Sequence, residues 1–551
     1  MRRRLSQFCL LAVMFILLTG CVGSNYGHEK TDAASNIITG DAAGIPEKYD
    51  PPITITTVLE FYPNERVDRT PQGITPENQK YVEILEKEFG IKLNFLWHAT
   101  EDQFQQKFDL MIACGQYPDV VSIGADAFEK LSSEGMLANL THLYDELASK
   151  ELKQGLNSDG GCAIVNCVRN GRLLAIPLAA ANRAMAIPLL WIRNDWLRKV
   201  NMDPPGNMED VIKIARAFTY DDPDGNGLYD TVGLGVVDRL FFSIGDLKGF
   251  FNGYHTYPDR WIKDENGQLV PGFIMPEMKL PLLKLREMYK DGLIDKEFAV
   301  KDYPKLIEEI ADGKIGMLYG EWWLPNWPLQ MNLDKDPNAD WKCYTLPSND
   351  TEPAKTVIKR VVIEKYNVAF KGCKHPEALI KMLNLAYEME NSKECEEKYG
   401  KNANKPEGGY VYNWVPVRVN RIFSISKSLS DINKALRIKD PSNLDVGDFE
   451  KYNIAQAYLS GDKSKWGFYF ANVDENGGFG KIVEMLRQER VIYDEYTGYP
   501  NPVIFENEKI LYDEMIETFT SIIMGGSVDE YDKFVNKWRE IGGDKVIKEV
   551  N

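Results

Sequence analysis

The sequence predicts an α/β protein with at least two domains. Its first apolar segments alternate in type: a β-branched run over 53–61, an amphipathic run over 75–89 with Thr75 as N-cap, and a second strand from Ile91 to Trp97. Strand, helix, strand is the unit from which parallel α/β sheets are built. The chain has 551 residues, and because a single core rarely serves more than ~300 residues, we expect more than one domain.

The same alternation continues after the second strand. An amphipathic pattern over 103–113 predicts a helix, and the apolar run Val120–Ile123 predicts a third strand. Before the first strand, residues 21–50 are polar, aperiodic and rich in Gly, Ala and Asp. That composition predicts a flexible tether rather than a packed element.

The N-terminus carries an export signal. Arg2, Arg3 and Arg4 precede an apolar stretch of about ten residues that ends in Leu-Thr-Gly-Cys21. The stretch is too short for a membrane-spanning helix, which needs ~20 apolar residues. Its end resembles the bacterial lipobox, which implies removal of residues 1–20 and a diacylglyceryl group on Cys21. The alternative is an ordinary secretory signal with a chance cysteine.

The charge of the chain excludes one class of partner. Removing the signal removes three arginines and no acids, which moves the formal net charge from −17 to −20. Nucleic-acid binding requires a basic surface that displaces counterions, and no such stripe follows the signal. We therefore expect no nucleic-acid partner. From the N-terminal signal we expect an extracytoplasmic protein anchored to the cell membrane.

Cysteine and histidine offer no evident metal or catalytic pattern. Cys162 and Cys167 either close a small disulfide loop or remain buried free thiols. The histidines are isolated and show no zinc-ligand spacing, and the sequence contains no G-x-S-x-G or H-E-x-x-H motif.

A series of short motifs resembles family 1 extracellular solute-binding proteins of bacterial ABC transporters. The most characteristic joins a helix, a glycine, Pro-Asp and a strand over Phe108–Val121. The others follow in order along the chain: Gly171–Pro177, Trp191–Leu197, Asp222–Gly227, Leu285–Asp295, Gly313–Met317, His375–Glu377, Ile522–Gly526, Trp538 and Gly542–Asn551. The resemblance is strongest to the long lipoprotein subgroup that includes alginate-binding and other oligosaccharide-binding proteins.

The resemblance implies a type II periplasmic-binding-protein-like fold, in which two discontinuous α/β lobes are joined by a hinge. The first lobe would comprise 51–188 plus 357–420, and the second 189–356 plus 421–551. The implied function is capture of an oligosaccharide in the interlobe cleft and delivery to the permease subunits of an ABC transporter. The implied protein is a monomer without enzymatic activity.

A calcium site is predicted at the loop that starts at Asp222. Asp222, Asp224, Asn226 and Asp230 supply side-chain oxygens at positions 1, 3, 5 and 9 of an EF-hand-like loop, and Leu228 supplies a backbone carbonyl at position 7. Thr231 and Gly233 stand at positions 10 and 12, where a charged ligand would complete the shell. The alternative is a turn without a metal; by family resemblance, bound Ca²⁺ would be structural.

Sugar rings are bound through flat aromatic faces, so the tryptophans are the candidate ligand-binding residues. Five are selected by their position after strands or in loops: Trp97, Trp261, Trp322, Trp323 and Trp414. For each one, packing in the core is an equally good explanation. If the segment after the strand predicted over 315–318 is extended, Trp322 and Trp323 point to opposite sides and only one can face the ligand.

Two other functions share these features. A secreted carbohydrate-active enzyme would also contain tryptophans, carboxylates and calcium, and a surface adhesin would capture glycans without transport. The sugar itself is not specified. A polyuronate would require basic groups, for which Arg183, Arg193 and Arg239 are the candidates, and the net negative charge favours a neutral oligosaccharide.

Overall fold

The computed structural model describes most of the chain after the signal and the tether. The described residues are 45–61, 75–157, 161–179, 183–242, 244–359, 363–392, 394–399, 415–420, 424–496 and 502–551. By its contacts the chain divides into residues 1–45 and 46–551. Cys21 and Trp414 lie outside the described residues.

The folded body begins slightly before the first strand. Tyr49 is buried, with 6% of its surface exposed, and its hydroxyl donates to Glu377 at 2.8 Å. The Lys381 Nζ donates to the carbonyl of Glu47 at 2.9 Å. The last residues of the predicted tether are therefore packed on the protein.

Fourteen strands are described within these ranges. They are β1 Ile53–Phe61, β2 Ile91–Thr100, β3 Val120–Ile123, β4 Val168–Arg169, β5 Arg172–Leu173, β6 Ile176–Ala179, β7 Leu189–Arg193, β8 Trp261–Lys263, β9 Leu269–Pro271, β10 Met317–Gly320, β11 Trp341–Tyr344, β12 Thr356–Ile358, β13 Ile363–Ala369 and β14 Val491–Tyr493. β1 and β2 pair in parallel, with Ile53 opposite Ile91, as the strand-helix-strand pattern predicts.

The described α-helices surround these strands. They are α1 Lys80–Ile84, α2 Glu101–Ala113, α3 Ala125–Ser133, α4 Thr141–Leu147, α5 Lys150–Leu156, α6 Cys162–Val165, α7 Asn194–Lys199, α8 Met208–Tyr220, α9 Lys248–Gly253, α10 Lys279–Lys290, α11 Tyr303–Ala311, α12 Gln330–Lys335, α13 Glu377–Asn391, α14 Cys395–Tyr399, α15 Ile425–Ile438, α16 Val446–Leu459, α17 Trp466–Asn472, α18 Gly478–Arg487, α19 Pro502–Ile523, α20 Asp529–Trp538 and α21 Asp544–Val550.

Two large hydrophobic cores organise the body. The first core takes buried residues from the stretches 49–176 and 366–419, and it covers the sheet in which β13 lies antiparallel between β3 and β6. The second core takes buried residues from 184–358 and 425–534. Each core thus draws on two separate stretches of chain, so the chain passes between the cores more than once.

The second core is built on a sheet of three strands. β7 lies in the middle, antiparallel to both β10 and β11. All five residues of β7 are buried, which fits a strand covered on both faces. α8 packs beside it because Val211, Ile214, Ala215 and Phe218 form one apolar face at helical spacing.

One helix start differs from the sequence expectation. The helix predicted from Thr75 begins at Lys80, where the Gln79 side chain accepts from the Tyr81 N–H at 3.2 Å. The Thr75 N–H instead donates to the Asn78 side chain at 2.6 Å in the preceding turn. Several nearby side chains can cap a backbone N–H, and sequence alone does not choose among them.

Cys167 is a buried free thiol, and its Sγ donates to the Ala163 carbonyl at 3.5 Å. Of the two alternatives for this cysteine, the structure therefore shows the free thiol. Among the described residues, no helix combines the length and the apolar composition that a bilayer crossing requires.

Candidate functional site

The aromatic segment after β10 begins beside the start of β7, the strand by which the chain enters the second core. Gly320, the last residue of β10, pairs with Leu189, the first residue of β7. Tyr344, at the end of β11, pairs with the adjacent Leu190. We call this end of the sheet the crossing edge, because β7 is the first strand after the chain leaves the first core.

Trp323 and Trp327 form a stacked pair that we call the aromatic platform. Their ring centroids are 6.3 Å apart and their planes differ by 21°. Trp327 is 41% exposed, and the Trp323 Nε1 donates to the Glu321 carboxylate at 2.9 Å. Glu321 thus fixes the orientation of one ring, and the pair presents aromatic surface to solvent.

Trp322 and Trp323 are both half-buried and both pack against the second core, but their rings have different partners. The Trp322 ring lies 4.6 Å from that of Phe479. The segment from Trp322 is a turn and not the extended strand considered above. Adjacent residues still diverge in the turn, so the Trp322 ring meets Phe479 while the Trp323 ring lies beside the exposed Trp327.

Two glycines of the C-terminal helices hold this segment. A Cβ added to Gly467 would lie 2.2 Å from the Pro325 carbonyl oxygen, and one added to Gly478 would lie 2.5 Å from the Trp322 carbonyl oxygen. Only glycine permits such close approach of two backbones. The Gly467 N–H also donates to the Gln330 side chain at 2.8 Å, so α17 and α18 position the segment that carries the platform.

A buried carboxylate lies near the platform. Asp246 is 1% exposed, and its Oδ1 accepts from the Lys248 N–H at 2.9 Å. Among the described residues, its Oδ2 has no hydrogen-bond partner. The Lys248 Nζ is 3.8 Å from this oxygen, close enough for attraction but too far for a hydrogen bond.

Burial raises the pKa of Asp246, the attraction of Lys248 opposes the rise, and the negative charges of Glu321 and Asp259 add to it; the net result is a pKa of about 6. Asp259 itself is paired with Arg260 at 2.7 Å. Asp246 therefore lies within electrostatic range of both the platform residue Glu321 and the segment that leads into Trp261.

Trp261 lines a cavity of about 510 Å³. One face of its ring stacks on Tyr496, with centroids 4.9 Å apart and planes 23° apart. The apolar wall of the cavity includes Tyr257, Trp261, Ile262, Met275, Val357 and Tyr493. Its polar lining includes His255, Lys263, Glu277 and Glu495.

Trp97 lies inside β2 and is engaged by its own core. Its ring is 5.3 Å from Phe104, its Nε1 donates to the Met111 sulfur at 3.3 Å, and the Lys107 Nζ lies 4.8 Å over the ring. Core packing therefore accounts for Trp97. Trp414, the remaining candidate, is outside the described residues.

The carboxylates of the predicted calcium loop face one another. The Asn226 amide donates to Asp224 at 2.8 Å and to Asp230 at 3.1 Å, so these two carboxylates converge on one point. Partial burial and repulsion from Asp222 and Asp230 raise the pKa of Asp224. A cluster of hard, negatively charged oxygens that repel one another suits a cation such as Ca²⁺.

The other residues of the loop do not form a complete set of metal ligands. Asp222 accepts the backbone N–H groups of Gly225, Asn226 and Gly227, as a loop-shaping residue does. Among the described residues, no three acidic, histidine or cysteine side chains are arranged closely enough to hold a metal ion as they stand.

Packing explains why loop positions 10 and 12 carry no acid. The Thr231 hydroxyl turns inward and donates to the Phe218 carbonyl at 2.6 Å. A Cβ on Gly233 would lie 2.1 Å from the Ala215 carbonyl oxygen. Both positions join the loop to α8. The Thr231 hydroxyl therefore does not reach a metal, and position 233 cannot carry a side chain that would.

The structure describes the surroundings of two of the three arginines that could bind an acidic sugar. Arg193 is 2% exposed and pairs with Asp195 at 2.6 Å and Asp336 at 3.0 Å, so its charge is already used inside the second core. Arg239 is exposed, and its guanidinium lies 5.7 Å from the ring centroid of Phe242. The side chain of Arg183 is outside the described part of the chain.

The sequence interpretation missed Trp327, Glu321 and Asp246. Trp327 follows Trp323 by four residues, but its backbone is extended (φ −172°, ψ 123°), so no helical periodicity marks it in the sequence. Glu321 adjoins the tryptophans. No sequence pattern around Asp246 predicts that it is buried, because its burial depends on contacts with residues distant in sequence.

The comparisons with known proteins agree with this architecture. The sequence profile of a family described as "Bacterial extracellular solute-binding protein" matches residues 72–393. Lipoprotein LipO of Bacillus subtilis is 29% identical over 242 residues, or 43% of this chain and 45% of that protein. The polygalacturonan/rhamnogalacturonan-binding protein YtcQ of the same organism is 25% identical over 247 residues, or 44% and 47%. The chain thus spans about half the length of these curated relatives.

Solved structures share the fold over nearly the whole chain. The S. pneumoniae ABC-transporter substrate-binding protein FusA, as an EF-hand mutant in complex with fructo-nystose, superposes with a TM-score of 0.60 at 15% identity. The superposition covers 90% of this chain and 97% of that one. The expected fold, two α/β lobes of the type II binding-protein kind, is confirmed.

Proposed function

This chain belongs to the bacterial extracellular solute-binding protein family, and from that premise we propose that it captures an oligosaccharide between its two lobes and delivers it to the permease of an ABC transporter. The observation that carries the proposal is the stack of the exposed Trp327 on the half-buried Trp323 at the crossing edge. A ligand held at this edge would contact the second lobe at β7, where the chain has just arrived from the first lobe. Closure of the lobes around it would then be the signal that the permease reads.

The chemistry of the platform suits a sugar. Aromatic faces bind the apolar C–H side of a sugar ring, and carboxylates accept hydrogen bonds from its hydroxyl groups. Glu321 places a carboxylate beside the Trp323 ring, at 2.9 Å from its Nε1. Names of the relatives point to the same ligand class, since YtcQ is a polygalacturonan/rhamnogalacturonan-binding protein and FusA was crystallised with fructo-nystose.

The calcium loop is part of the proposal. Asp222, Asp224, Asn226 and Asp230 would hold Ca²⁺ through side-chain oxygens, and Leu228 through its backbone carbonyl. The convergence of Asp224 and Asp230 on the Asn226 amide supports this, as does the EF-hand of the related FusA fold. Bound Ca²⁺ would stabilise the second lobe and would not contact the ligand.

The location follows from the N-terminal signal. We infer that the mature protein begins at a lipid-bearing Cys21 and works outside the cytoplasm as a membrane-anchored monomer. Its relative LipO is also named a lipoprotein. The tether after Cys21 would leave the lobes free to meet the permease.

Binding rather than catalysis is the proposed activity. The family is one of solute-binding proteins, and a glycosidase would require two carboxylates placed on either side of a scissile bond. A bound glycan should therefore be recovered intact. An adhesin would also bind glycans, but it would not require the genes of a permease.

One experiment tests the core of the proposal. Purified protein without residues 1–20 would be titrated calorimetrically with malto-, fructo- and galacturono-oligosaccharides of two to six rings, and each mixture analysed by mass spectrometry after incubation. We expect saturable binding of at least one series with no new products. Cleavage would identify an enzyme, and the absence of binding to all three series would overturn the proposed ligand class.

A further inference from the structure

The geometry points to a second sugar-ring pocket: we propose that the cavity beside Trp261 holds an uncharged ring of the same oligosaccharide whose other rings stack on the aromatic platform. The inference rests on the proposed function and deepens it, because a ligand that occupies both places must be a chain of several rings. It adds a site within the second lobe that the platform alone does not require.

The cavity has the size and lining of a ligand pocket. Its volume of about 510 Å³ falls within the ~300–1,000 Å³ typical of such pockets, which are mainly apolar with a few polar groups. The cavity opens to solvent, since Ile492 and Tyr493 in its lining are 40% and 39% exposed, so a ligand can enter it. The three aromatic side chains Tyr257, Trp261 and Tyr493 in its wall supply flat apolar surface.

The Trp261 ring is held in place before any ligand arrives. Tyr496 stacks against it at 4.9 Å, and the Trp261 backbone N–H donates to Asp494 at 3.3 Å. The hairpin of β8 and β9 adds a second support, with Trp261 opposite Pro271. A ring fixed in this way loses little freedom when it stacks on a ligand, which favours binding.

The polar groups of the cavity suit an uncharged ring. Lys263 pairs with Glu495 at 2.6 Å, and both are about half exposed. Glu277 adds a further carboxylate to the lining. Donors and acceptors are therefore available for hydroxyl groups, but the excess of carboxylate would repel a uronate.

The cavity and the platform lie on the same hydrophobic core. Met278 of the cavity lining belongs to this core, and Trp323 of the platform packs against it. A carbohydrate chain long enough to reach both places would meet an aromatic face at each end.

The cavity also contacts the chain that returns to the first lobe. Val357 lines it and belongs to β12, which pairs in parallel with β14 just before the chain enters β13 of the first core. A ring in the cavity would therefore touch one of the connections about which the lobes close.

The test measures affinity against chain length. The three oligosaccharide series of two to six rings would be titrated into the wild type, Trp261→Ala and Ile492→Trp. Ile492 lines the cavity and is 40% exposed, so a larger side chain there narrows the cavity while Trp261 is unchanged. Ile438→Trp is the matched control, because Ile438 is 57% exposed on α15 and does not line the cavity.

We expect the wild type to gain affinity as an uncharged series lengthens, until both places are filled. Both cavity variants should bind the shortest members like the wild type and the longest at least about tenfold more weakly. The control should match the wild type at every length. Thermal unfolding midpoints would show that each variant is folded.

The outcomes separate this inference from the function on which it rests. If the wild type binds a series and both cavity variants match it at all lengths, the second pocket is refuted and the proposed function stands. Preferential binding of the galacturonate series refutes the uncharged ring. Failure of the wild type to bind any series refutes both proposals.

Discussion

Asp246→Asn should stabilise the folded protein at neutral pH and make its stability less dependent on pH. Burial raises the pKa of this carboxyl to about 6 from its ordinary value of 3.8. One pKa unit corresponds to ~1.36 kcal/mol, so ionised Asp246 destabilises the folded state by about 3 kcal/mol. Its Oδ2 has no hydrogen bond within the described part of the chain and the Lys248 Nζ is 3.8 Å away, so the charge is poorly compensated.

The direction of the pH effect follows from proton linkage. Between pH 3.8 and about 6 the folded state holds a proton on Asp246 that the unfolded state has lost. Stability must therefore fall as pH rises through this window, and the full cost is present above it. An asparagine never ionises, so the variant lacks this contribution at every pH.

The assay is urea unfolding of the wild type and Asp246→Asn at pH 4 and pH 7.5. We expect the variant to gain about 3 kcal/mol over the wild type at the higher pH and little at the lower one. Asp203→Asn, at an exposed position, is the control and should follow the wild type. An identical pH dependence in wild type and Asp246→Asn would refute the reasoning.

The remaining predictions concern the platform, the metal and the anchor. Trp323→Ala should weaken oligosaccharide binding in calorimetry, because it removes one ring of the platform. Trp322→Ala, which loses its contact with Phe479, should lower the free energy of unfolding by ~3 kcal/mol and retain binding; loss of binding in Trp322→Ala but not in Trp323→Ala would contradict the assignment. A calcium chelator should lower the melting temperature of the wild type but not of Asp224→Ala, and equal sensitivity would place the metal elsewhere. Cys21→Ala should release the protein from the membrane fraction, and its retention there would argue against a lipid anchor.

Local pattern was sufficient for much of the fold. The bounds of β1 and β3 agree with the apolar runs that predict them, because alternation and β-branching act over a few residues. The motifs spread along the chain were sufficient to identify the family and, through it, the two-lobe fold. Position after a strand selected the segment that contains the platform.

The roles of individual tryptophans required the tertiary structure. Trp322 and Trp323 are adjacent and chemically identical, yet one packs on Phe479 and the other stacks on Trp327. The difference arises from α17 and α18, more than a hundred residues later, whose glycines meet the backbone of this segment. No local pattern contains that information.

The sequence by itself determined the fold class and the family and predicted the signal and the oxygen-rich loop, since each of these depends on short motifs that can be read locally. Only the tertiary structure decided which groups are buried, paired or exposed. The unpaired oxygen of Asp246 and the cavity that joins Trp261 to Val357 and Tyr493 both result from segments far apart in sequence. Burial and charge compensation depend on all neighbours in space, and those neighbours are set only when the whole core has packed.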